Sequence, residues 1–165
     1  VQSVTYDEKL SELGYALDPV DVDNGRFLQA VRSGNLIFTS GQVPLWRGKA
    51  IKGKVGTDLS MEEAREAARL CTVNALLAVA CLVGDLSEVV RIVKVLGMVN
   101  VGPEFNETPA VIDACSELLV EVFGTAGKHA RSAVGMTIPL NFAVEIELIV
   151  EVRPEAGPDF RGLPT

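Results

Sequence analysis

Arg131, Glu145 and Glu147 are the residues whose types and spacing best suit chemistry. Val144, Ile146, Leu148, Val150 and Val152 alternate with Ala143, Glu145, Glu147, Ile149 and Glu151, a period of two that sends the acidic side chains to one face of a strand. Before it, Val134, Met136 and Ile138 alternate with Arg131, Ala133, Gly135 and Thr137. A turn centred near Pro139 would set Arg131 opposite Glu147 and Ala133 opposite Glu145, with opposed Cβ atoms about 5 Å apart. The small neighbours Ala130, Ser132, Ala133 and Gly135 would leave open space around the guanidinium, whose planar fork suits a bidentate carboxylate ligand. The same group reads equally as a solvated ion-pair face, which contributes little.

Other candidates are weaker. His129 is the one histidine and has no Cys or His nearby; it could serve as an acid or base, but a lone loop histidine reads as structural or solvated. Cys71, Cys81 and Cys115 are odd in number and lie in apolar stretches without a metal-ligand or redox spacing, so neither a disulfide scaffold nor a zinc site is expected. Gly48 to Lys54 matches a phosphate-binding loop up to its last position, where Val55 replaces the Ser or Thr that would hold Mg²⁺, and a flexible glycine loop is the reading kept. Asn106-Glu107-Thr108 fits a glycosylation acceptor, but Thr108 is already explained as a helix cap.

The elements that must position these residues follow from periodicity. Residues 1–26 form an N-terminal extension with a weak amphipathic helix around Tyr6 to Leu13 and a lead-in strand. Two apolar runs between Phe27 and Gly41 flank Arg32-Ser33-Gly34-Asn35 and predict a hairpin. Ser60 with Glu63 is a capping box that opens a helix over 61–82, whose contact stripe of Ala64, Ala67, Ala68, Cys71, Ala75 and Ala78 allows close approach to a sheet. Leu70, Val73, Leu76, Leu77 and Val79 add more apolar surface than a one-sided helix needs, so further chain or another subunit should cover it.

Val89 to Val101 is a β-branched strand. Thr108 as N-cap, Pro109 and Gly124 bracket a second helix. Arg131–Ile138 and Ala143–Val152 complete the order ββ, α, β, α, ββ. That order predicts an α+β domain, with two helices on one face of a mixed sheet, over 27–153, and an irregular tail over 154–165.

The 165 residues suit one domain, and 48% apolar content fills one core. A net charge of −7 with no basic cluster argues against nucleic acid as a partner. The longest uncharged run, Leu70 to Gly84, has 15 residues, short of the roughly 20 that a membrane span needs, so no membrane is expected. The stretch beginning Val1-Gln2-Ser3 shows no charged leader before an apolar run, and a reduced, cytoplasmic setting is expected.

Ser33 through Pro44 (SGNLIFTSGQVP), Ala130-Arg131-Ser132, and Pro139 through Val144-Glu145-Ile146-Glu147 resemble the RidA/YjgF family of reactive-intermediate deaminases, in order from about Phe27 to Val152. The resemblance implies a chorismate-mutase-like fold, a homotrimer with ligand clefts between subunits, no cofactor or metal, and hydrolysis of enamine or 2-imino acids to 2-keto acids and ammonia. It assigns Arg131 to the substrate carboxylate, Glu145 to the hydrolytic water, and Ser40 and Gly41 to the cleft wall.

Three positions depart from the family's pattern: Phe27 stands for a Tyr, Ala133 for a Cys and Ser116 for an Asn. Carboxylate binding is thus better supported than imine turnover. A non-catalytic trimer that binds small carboxylates is the alternative, and the endoribonuclease or translation-inhibitor label also attached to the family fits the acidic charge poorly.

Overall fold

The computed structural model describes residues 4–155. In chain order it contains α1 (Tyr6–Glu12), β1 (Ala30–Ser33), β2 (Leu36–Thr39), a miniature hairpin of β3 (Leu45–Trp46) and β4 (Lys49–Ala50), α2 (Met61–Val83), β5 (Val89–Asn100), α3 (Thr108–Phe123), β6 (Ala130–Met136) and β7 (Val144–Val152). The main sheet has the order β1-β2-β7-β5-β6; β5 and β6 are parallel and the other pairs antiparallel, so the sheet is mixed. The α2 helix packs on β7 and α3 on β5 and β6, side by side over one face.

All three predicted helices form where the signals place them. At the start of α2, Ser60 Oγ accepts from Glu63 N–H and the Glu63 carboxylate accepts from Ser60 N–H. That closes two of the backbone donors a helix start leaves open. Thr108 is not the cap of α3: it is already helical, and its hydroxyl donates to the Ala133 carbonyl, tying the helix start to β6.

The apolar circumference of α2 is long enough to span a membrane by length and composition, yet most of it is buried here. The sheet, α3 and the N-terminal segment cover it, with Leu10 fully buried and Tyr15 and Leu17 packed against the core, so no second subunit is required to hide it. Each of its larger aliphatic side chains contributes about 1.5–3 kcal/mol on burial. Among the described residues the expected lead-in strand is absent: those before β1 make only the isolated bridge Asp23–Leu28. The expected glycine loop begins as a hairpin instead: β3 and β4 pair through Leu45–Ala50 and Trp46–Lys49. Most of the expected C-terminal tail, 156–165, lies outside the described residues.

The largest difference lies at the C-terminal strands. β6 and β7 do not pair: β5 lies between them, parallel to β6 and antiparallel to β7. The chain leaves β5 through α3 and re-enters the sheet in the same direction, as a helical crossover allows. The connection over 137–143 then steps past the end of β5, held by Gly53 N–H on the Asn141 carbonyl and by the fully buried Asn100, whose amide donates to Asn141 Oδ1. Seven extended residues reach roughly 23 Å, ample to cross one intervening strand.

Candidate functional site

Moving β5 between the two strands redistributes the predicted site. Arg131 lies beside Val95, which pairs with Leu148 on its other side; Val95 and Leu148 are buried under the helices. Arg131 therefore projects to the helix face. Glu145 pairs with Met98 and Glu147 with Leu96, on the uncovered face. The expectation that Arg131 faces Glu147, and Ala133 faces Glu145, is thus corrected: the carboxylates and the guanidinium occupy opposite faces, two strands or roughly 10 Å apart.

Nor is the space around Arg131 open on every side. Asp113 and Ser116, three residues apart on one face of α3, stand over β6. Nη1 of Arg131 donates to Asp113 Oδ1 at 2.7 Å and to Ser116 Oγ at 3.2 Å. Both bonds leave from one nitrogen, so among the described residues the Nε–Nη2 edge of the fork carries no protein partner. The Arg131 side chain keeps 26% of its exposure, and that edge is the available half of a bidentate grip.

Ser116 continues the network. Its hydroxyl lies 2.9 Å from His129 Nε2, and His129 Nδ1 lies 2.6 Å from the Gly127 carbonyl. His129 is therefore a bonded, half-buried residue. Burial is the main cause that pushes its pKa below the usual histidine value, and the nearby Arg131 charge adds to it against the Gly127 hydrogen bond. Asp113 and the His129 link were missed from the sequence: a single helical Asp and a lone His carry no signal until the fold stacks α3 on β6.

The other half of the predicted site gathers on β7. The Glu145 carboxylate packs against Gly41, where a side-chain methyl would overlap it. Gln42 and Ile146 exchange backbone hydrogen bonds beside it, and Ser40 Oγ donates to the Leu28 carbonyl, fixing the Ser-Gly-Gln turn. Burial, and secondarily the Glu147 charge, raise the Glu145 pKa above the ordinary glutamate value, as suits a group that takes up and returns protons. Phe27 precedes β1 and is 55% exposed. The candidate residues thus fall into two groups on one chain, Ser40, Gly41 and Glu145 in one and Ser116, Arg131 and Ala133 in the other.

No His, Cys, Asp or Glu side chains group as a candidate metal site among the described residues. Burial pushes the Cys71 thiol well up and the Cys115 thiol to about 12, so neither is a ready nucleophile.

The family model described as "YjgF/chorismate mutase-like, putative endoribonuclease" matches residues 7–152. The chain belongs to this YjgF family. Protein TCP17 of Trypanosoma cruzi is 35% identical over 146 residues, covering 87% of this chain and 91% of that protein. Among solved structures, Atu1372 of Agrobacterium tumefaciens, described as of unknown function, is 42% identical with a TM-score of 0.82, over 90% of this chain and 92% of that one. A Shewanella oneidensis protein described as a "putative endoribonuclease" is 33% identical with a TM-score of 0.84, over 90% and 99%. The YjgF match begins within α1, whose Tyr6 ring packs on Phe123 of α3 at 4.6 Å.

Proposed function

We propose that the protein hydrolyses 2-imino acids and their enamine tautomers to 2-keto acids and ammonia, in clefts formed between copies of a homotrimer. The observation that carries this reading is the Arg131 fork: Asp113 and Ser116 hold Nη1, and the Nε–Nη2 edge is left to take a substrate carboxylate. Glu145 and Arg131 lie on opposite faces of one sheet, so a cleft using both draws Glu145 from one copy and Arg131 from its neighbour. The uncovered face supports such packing. Val31 and Phe38 at one edge of it, and Val134 and Met136 at the other, are each between 38% and 46% exposed, apolar patches of the kind that associate.

The chemistry asks little of the protein. Water adds to the electrophilic carbon of the C=N bond while Glu145 accepts its proton; the nitrogen is protonated, and the carbinolamine collapses as the C–N bond breaks, releasing ammonia and leaving the ketone. Water supplies the keto oxygen, and its two protons leave on nitrogen. Arg131 orients the substrate, and the raised pKa of Glu145 favours its taking up the water proton and giving it back.

Ala133, where the family pattern has Cys, and the exposed Phe27, where it has Tyr, support a second reading in which the same clefts bind small carboxylates without turnover. The two separate in one assay: 2-iminobutyrate is generated in situ from an amino acid and its disappearance followed with and without the protein. Faster decay supports the deaminase; decay at the uncatalysed rate with measurable 2-oxobutyrate binding supports the binding protein. Cleavage of RNA, the activity in the family's description, would require a polyanion to approach a chain of net charge −7.

A further inference from the structure

We propose that His129 is a positioning residue for the carboxylate site: acting through Ser116, it fixes Arg131 so that the Nε–Nη2 edge faces the ligand. This inference rests on the carboxylate-binding reading above and adds a residue to it.

The hydrogen-bond chain has a direction. The Gly127 carbonyl can only accept, so His129 Nδ1 carries the proton and donates to it. In a neutral imidazole Nε2 then has a lone pair and accepts from the Ser116 hydroxyl. With its proton committed to His129, Ser116 Oγ turns a lone pair to Arg131 Nη1, which it accepts at 3.2 Å.

The far end of the chain is rigid. A Cβ on Gly127 would overlap the Leu119 backbone, so the turn over Gly124–Gly127 sits directly against α3 and its carbonyl has a fixed place. Backbone of α3 therefore sets Gly127, Gly127 sets the imidazole, the imidazole sets the Ser116 rotor, and Ser116 shares Nη1 with Asp113. Asp113 alone would supply charge but only one bond. Two acceptors on one nitrogen fix the plane of the guanidinium, which decides where its other edge points. The arrangement is the second layer of support that a binding arginine needs to stay preorganised.

The test is calorimetric titration of the full-length protein with 2-oxobutyrate, a small carboxylate of the product class. It compares the parent with His129→Ala, His129→Gln, Ser116→Ala and the double variant His129→Ala/Ser116→Ala, each with a thermal melt. His129→Ala and Ser116→Ala should each weaken binding about three- to tenfold, the range for losing one hydrogen bond. The double variant should be no weaker than the worse single one, because both remove the same chain. His129→Gln, whose amide oxygen can accept from Ser116, should recover most of the affinity, a rescue that a purely structural histidine would not show.

Parental affinity in folded His129→Ala, additive losses in the double variant, or a folded Gln variant as weak as Ala would each overturn the inference while leaving Arg131 as the carboxylate site. A parent that binds no 2-oxobutyrate would instead overturn the carboxylate reading itself. Should His129→Ala fail to fold, Ser116→Ala and His129→Gln decide the matter: parental affinity in Ser116→Ala, or a Gln variant as weak as Ser116→Ala, contradicts it.

Discussion

The Glu145 carboxylate lies directly on Gly41, and any side chain at Gly41 would occupy the space it fills. Substitution of Gly41 by Ala therefore displaces the flexible end of Glu145 and no backbone. Melting temperature should change little, while imine turnover should fall about ten- to hundredfold, since small misplacements of a reacting group cost that much. Unchanged turnover in Gly41→Ala would detach Glu145 from the reaction.

Glu145 also makes a pH-dependent contribution to stability. Burial first, and then Glu147, raise its folded-state pKa above the ordinary value of 4.5. Below that value the group is protonated in both folded and unfolded chains and costs nothing. As pH rises through the folded pKa, the folded state carries a disfavoured charge and loses stability relative to low pH. Glu145→Gln, neutral throughout, should melt higher than the parent at pH 7, with the difference vanishing as pH falls below 4.5, and should lose turnover. A Gln variant less stable than the parent at pH 7 would contradict this.

Gly97 carries the close approach of α3 to β5. A Cβ there would stand 2.5 Å from Ile112, which is fully buried. Gly97→Ala should destabilise by about 1–3 kcal/mol through overpacking, and Gly97→Ala/Ile112→Val should recover part of the loss. Chemical denaturation of the three proteins measures both.

How far the sequence revealed this protein depends on the range of each signal. Local signals were faithful: the Ser60–Glu63 box opens α2, and the alternation around Glu145 and Glu147 places both on the uncovered face. The pairing of β6 was not local. Pro139 and its neighbours look like a hairpin turn, but the seven residues of 137–143 can also cross a strand, and only packing of α3 between β5 and β6 decides which. The side of the sheet taken by Arg131, and its bonds to Asp113 and Ser116, depend on that decision. The resemblance picks out Ser40, Gly41, Ser116, Ala133 and Glu145 as candidates, whereas their separation into two groups depends on the strand order and is not legible locally.

Arg131 itself gives a graded test. Lys keeps the charge but loses the planar fork, and Ala loses both. Loss of a charge-assisted hydrogen bond, about 1.5–3 kcal/mol, predicts at least tenfold weaker carboxylate binding for Arg131→Ala, with Arg131→Lys in between. Removing the guanidinium also strands Asp113, so a thermal melt must show both variants folded. A folded Arg131→Ala protein with parental affinity would remove Arg131 from the site.

In the proposed trimer each cleft joins Arg131 of one copy to Glu145 of another, and subunit complementation shows whether the two residues work together. Arg131→Ala and Glu145→Gln are purified separately, unfolded, mixed in equal amounts and refolded together, and the oligomer is sized by light scattering against the 17.6 kDa chain. In a randomly mixed ring, half the clefts receive an intact Glu145 and half of those an intact Arg131, so about a quarter of parental imine hydrolysis should return from two inactive proteins. If the mixture forms trimers yet stays as inactive as either variant alone while the refolded parent is active, Arg131 and Glu145 do not meet across an interface and the shared cleft is contradicted.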